Sequence, residues 1–141
     1  MKSRSSFIAL FGVLLLATLP QSALADRIQD FVDEPVPTKA SGQKFTPLEV
    51  QTIIIKACTA RKWIPRVVEP GKLSVSILVR NVHYAEVSIP FSDTNYSILY
   101  VTSRELEANE KKRKIHGNYN KWVAALDSEI ARALALAISA P

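Results

Sequence analysis

The 141-residue sequence predicts an α+β domain: an antiparallel sheet of three to four strands with an N-terminal and a C-terminal helix packed on one face. Three observations carry this reading. A capped helix signal opens at Thr46, alternating apolar residues fill the middle of the chain, and an apolar stripe at helical spacing runs from Ile115 to Ala137. Links of hairpin length make neighbouring strands antiparallel, and the two helices then cover the side that matches their apolar faces.

Taken in order, residues 1–25 read as an export signal. Lys2 and Arg4 give the positive start, Phe7 to Leu19 the apolar run, and Ala23-Leu24-Ala25 the small-x-small cleavage site. The run is shorter than the roughly 20 residues a membrane span needs, so Asp26 is the expected mature N-terminus. Residues 26–45 carry Asp30, Asp33, Glu34, Pro35, Pro37, Ser41 and Gly42 with no apolar period. They are expected as a flexible arm before a single domain over 46–141.

The first helix has Thr46 as its cap, Pro47 in its first position and Glu49 completing a capping box, and is expected to reach about Lys62. Val50, Ile53, Ile54 and Ala57 fall on one face, while Leu48 and Ile55 fall nearly opposite. Trp63 to Glu69 is a short strand closed by the Pro70-Gly71 turn. In the next two strands Leu73, Val75 and Ile77, then Ala85, Val87, Ile89 and Phe91, alternate with polar residues. Tyr96 to Thr102 is rich in strand formers but apolar on both parities, which leaves its inward face open. The second helix gathers Ile115, Tyr119, Trp122, Val123, Leu126, Ile130, Ala133, Leu134 and Ala137 on one stripe. Its N-cap is placed at Asn118, because Gly117 inside the helix would cost about 1 kcal/mol.

Composition narrows the function classes. Removing the signal takes 2 of the 18 basic residues and none of the 13 acidic ones, so the net charge falls from +5 to +3. That is far from the dense basic field of a nucleic-acid binder. A lone cysteine cannot close an internal disulfide, so the fold rests on its apolar core, with Cys58 expected inside it. Gly42, Gly71 and Gly117 are too far apart to form a phosphate-cradling loop. His83 and His116 stand without clustered ligands, so neither a metal nor another cofactor is expected. Cys58 sits mid-helix, away from the helix N-terminus that would activate it, and Glu86 has no second carboxylate placed beside it. No catalytic residues are expected; an enzyme with dispersed groups is the last of the readings.

Two surfaces are candidates for binding. Leu48 and Ile55, off the main face of the first helix, and Leu136 and Ile138, on opposite flanks of the second helix's stripe, form a surplus apolar surface. It suits a protein or peptide partner in the cell envelope, a second copy of the chain included. The consecutive cations Lys111, Lys112, Arg113 and Lys114 suit anionic headgroups, with membrane contact no more than peripheral. Tyr84, Tyr96 and Tyr100 read either as an aromatic patch or as cross-strand packing.

The run Ile54-Ile55-Lys56-Ala57-Cys58, with Arg61, Trp63, Pro70-Gly71, Tyr96-Ser97-Ile98, Tyr100, Ile115-His116, Asn118-Tyr119-Asn120 and Trp122-Val123, resembles a family of small, uncharacterised proteobacterial exported proteins and lipoproteins. The resemblance covers most of residues 46–130. It implies a periplasmic location and no particular activity. Members carry a lipid-attachment cysteine that this chain lacks, so it implies no anchor. The expected function is that of a non-enzymatic periplasmic or secreted module that binds a protein or peptide partner. Peripheral binding to an anionic envelope surface is the alternative.

Overall fold

The computed structural model describes residues 25–139, and in it the first helix, α1 (Pro47–Ala60), begins where its capping residues require. The Glu49 amide donates to Thr46 Oγ1 at 3.2 Å, and the Thr46 amide donates to Glu49 Oε2 at 2.7 Å. Two of the helix's orphan donors are thereby satisfied. The helix ends in a Schellman arrangement. Lys62 takes a left-handed φ of 64°, its amide donates to the Thr59 carbonyl, and the Trp63 amide reaches back to the Cys58 carbonyl. That reversal tucks the Trp63 ring into the core and starts the next strand.

Five antiparallel strands form the main sheet, where three to four were expected. They are β2 (Phe31–Pro35), β3 (Ile64–Glu69), β4 (Lys72–Val79), β5 (His83–Pro90) and β6 (Asn95–Arg104), in the order β2-β6-β5-β4-β3. Leu73 opposes Ile89, Val75 opposes Val87 and Ile77 opposes Ala85, and all six are buried. Their neighbours Ser74, Ser76, Tyr84, Glu86 and Ser88 turn to the outer face. The ambiguous strand is resolved by a bulge. Glu86 pairs with Thr102 but Val87 pairs with Tyr100, so Val101 is the extra residue and stands exposed. Tyr96 and Ile98 point inward before the bulge, and Ser103 faces inward after it, pairing with Ala85. One strand therefore uses both parities, which is why alternation alone left its face open.

The segment 26–45, expected as a flexible arm, instead supplies two strands. β1 (Ala25–Arg27) pairs with β7 (Lys114–His116) in a separate two-stranded sheet, and β2 lies on the edge of the main sheet against β6. Asp30 fastens the link between them, accepting the Tyr100 amide at 2.8 Å and Arg113 Nη2 at 2.6 Å. Ile28, Val36 and Phe45 from this segment are core residues. The second helix, α2 (Gly117–Ala137), starts two residues earlier than expected. His116 is its cap, its Nδ1 accepting the Asn118 amide, and Ile115 lies in β7 instead of the helix. A Cβ at Gly117 would come within 2.6 Å of Asp26 Oδ2, so the glycine leaves room for that carboxylate at the helix start. An acid there also favours the positive end of the helix.

Buried residues of both helices and of the inner sheet face join in one core. Tyr119 of α2 meets Tyr100 of β6 edge to face at 5.5 Å, and Tyr96 donates to Asp127 at 2.7 Å, tying α2 across β6. Of the residues expected as an export signal, 1–25, all but Ala25 lie outside the described residues. Among the described residues no helix is long and apolar enough to cross a membrane.

Candidate functional site

α1 and α2 pack side by side, and two clefts open along their seam. The first, of about 360 Å³, is lined chiefly by Phe45, Leu48, Thr52, Ile53 and Ala137, with Lys39 and Glu49. The second, of about 420 Å³, is lined by Ile53, Ala57, Ala60, Ala133, Leu136 and Ala137, with Lys56, Glu129 and Arg132. Ile53 and Ala137 belong to both, so the clefts meet across that pair. Helical spacing explains the lining. Val50, Ile54 and Ala57 of α1 turn to the core, and the adjacent positions Ile53, Lys56 and Ala60 are left along its flank. Alanines at 57, 60, 133 and 137 keep the floor low, while Leu48 and Leu136 stand 68% and 67% exposed in the walls.

Charge along this groove is uneven. At the first cleft Lys39 Nζ lies 2.7 Å from Glu49 Oε1, a balanced pair that holds the Glu49 carboxyl below its usual range. At the second, the nearly buried Glu129 carboxylate accepts Arg132 Nη2 at 2.5 Å and Arg132 Nε at 3.2 Å, with Arg61 Nε at 3.7 Å. The Arg132 bonds hold the Glu129 carboxyl below its usual range and raise Arg132 in turn. Lys56 forms no ion pair among the described residues. Lys56 and Arg132 thus line this cleft with a single carboxylate, which Arg61 also approaches from outside the lining.

Of the four apolar residues expected as a partner surface, Leu48 and Leu136 line the groove. Ile55 packs half-buried against the core, and Ile138 is half-buried just beyond α2, its carbonyl accepting the Ala40 amide at 3.0 Å. The cationic run is divided: Arg113 pairs with Asp30, Lys114 enters β7, and Lys111 and Lys112 are exposed in the connector. The tyrosines do not form a patch. Tyr84 lies on the outer face, whereas Tyr96 is buried on the inner one and Tyr100 packs against Tyr119. Ile53, Lys56 and Arg132 of the groove were missed by sequence reasoning. The (i, i+3) spacing of Glu129 and Arg132 was the available signal for that ion pair.

The outer face carries a second polar cluster. Glu86 accepts Ser74 Oγ at 2.8 Å and Tyr84 Oη at 2.9 Å, and Arg104 lies over the Tyr84 ring at 4.5 Å. Partial burial, then the Glu86 carboxylate, raises the Tyr84 hydroxyl's pKa. The depression beside it holds about 130 Å³. Elsewhere, groups that sequence reasoning weighed for catalysis have structural occupations. Cys58 is fully buried, and desolvation pushes its thiol up to about 12, the opposite of an activated nucleophile. His83 Nδ1 meets the Glu105 carbonyl at 2.6 Å, and His116 caps α2. Among the described residues no group of three or more His, Cys, Asp or Glu is placed to hold a metal ion.

No protein-family model, curated protein or solved structure matches this chain.

Proposed function

We propose that this chain is an exported, non-enzymatic module that binds a protein or peptide partner along the groove between α1 and α2. One observation carries the reading: two highly exposed leucines, one from each helix, stand in the walls of a continuous apolar groove. Apolar area left in water is worth roughly 25 cal/mol per Å² when a partner covers it, and a concave site covers more per contact than a flat one. Between the helix ends the seam offers no unpaired backbone, so side chains set what fits there.

Panning a displayed library of random peptides against the purified protein tests this. Peptides enriched on the wild type are expected to lose binding to Leu136→Asp and keep it to Val67→Asp, on the sheet edge. The reverse pattern, or no enrichment at all, contradicts the groove. Export is tested separately by sequencing the N-terminus of the native protein: Asp26 is expected, and Met1 would contradict it.

A further inference from the structure

Resting on the proposal that the groove binds a partner, we infer that its occupant is an acidic amphipathic α-helix of about three turns. Length comes first. From Leu48 to Ala60 the groove follows α1 for twelve residues, about 18 Å at 1.5 Å per residue, which is the span of roughly 12 residues of a docked helix. Leu48 stands at one end and Leu136 beside Ala137, where the clefts meet, and the low alanine floor runs on from there past Ala57 and Ala133 to Ala60. That profile accepts apolar side chains repeating at i, i+3 or i+4, and i+7 from a helix lying lengthwise.

Charge then selects among helices. Lys56 and Arg132 line the second cleft with Glu129, and Arg61 reaches that carboxylate from outside the lining, so this end of the groove keeps an excess of about one to two positive charges. Glutamates flanking the apolar stripe of an incoming helix complement it, and lysines there are repelled. The same excess disfavours a second copy of the chain. In a two-fold dimer across this groove the rim meets its own image, bringing like charges together within a Debye length of about 8 to 10 Å.

Three capped peptides of about 14 residues, with leucines at i, i+3, i+7 and i+10 and flanking positions all glutamate, all glutamine or all lysine, are the probes. Affinities for the purified wild type are measured by fluorescence anisotropy at low and high salt. The glutamate peptide is expected to bind about tenfold more tightly than the glutamine peptide at low salt, and the lysine peptide most weakly, with the differences shrinking at high salt. Lys56→Glu, whose side chain is exposed, is expected to erase the preference for the glutamate peptide without changing the denaturant midpoint. Equal binding of all three peptides, abolished by Leu136→Asp, overturns the acidic occupant and leaves the groove standing. A concentration-dependent dimer that Leu136→Asp dissociates, with no peptide bound, overturns it in favour of a second copy. Absence of both peptide binding and dimer overturns this inference and the groove together.

Discussion

Of the regions that leave apolar side chains in water, the sheet edge at β3 and the seam of the two helices differ in almost everything else. The edge strand β3 exposes Ile64, Val67 and Val68, and the α1–α2 seam exposes Leu48 and Leu136. The edge is a ready template for strand addition, but Pro65 stands within it, and Pro35 stands in β2 on the opposite edge. A proline on an edge strand keeps its nitrogen on the solvent side and withdraws one donor from any incoming strand. The seam has no such guard, is concave, and carries a small excess of positive charge at its second cleft. Exposure alone therefore marks neither region as a site; shape, backbone availability and charge separate them.

The largest effect expected lies beneath the seam. Leu126 is fully buried, and Leu126→Ala is expected to cost about 2 to 5 kcal/mol in denaturant unfolding. Leu136→Asp is expected to stay within about 1 kcal/mol of wild type, because its side chain already faces water. Equal costs at the two positions would erase the distinction between core and wall.

Next comes the ion cluster. The Glu129 carboxyl titrates lower in the folded state than its ordinary 4.5, so the unfolded chain binds more protons and stability rises with pH through this window. Its contribution is present above about pH 4.5 and is lost as pH falls through the folded value. Glu129→Gln is expected to flatten the acid limb of a stability profile, and an unchanged limb would show that the arginines do not hold the carboxylate. Pro65→Thr is expected to make the edge stickier, read as faster growth of light scattering on warming, with peptide binding at the seam unchanged. Identical scattering would remove the proline from the account of the edge. Smallest of all, Cys58 is expected to stay unlabelled by a thiol reagent until the protein unfolds, since it lies on the buried face of α1 and its thiol remains protonated at neutral pH. Fast native labelling would mean that α1 lifts from the core.

What was legible in the sequence follows where local chemistry is decisive. The Thr46 to Glu49 capping box and the alternation through β4 and β5 translate directly into structure. β1 and β2 were not legible, because edge strands pack on one side at most and need no alternation. β2 adds a bulge and a left-handed Asp33. The cap of α2 was misplaced because the penalty for Gly117 was judged without Asp26, a partner 91 residues away in the chain. Half of the expected partner surface reached the groove. Ile55 and Ile138 did not, since a helical wheel ranks positions by angle and says nothing of which neighbour covers them.

Amide hydrogen exchange, measured with and without a saturating library-selected peptide, tests the groove most directly. Slower exchange is expected within 47–60 and 129–137, where backbone amides lie under the docked helix, with residues 64–69 unchanged. Slowing at 64–69 with both helices unaffected would place the partner on the sheet edge and contradict the seam as the binding site.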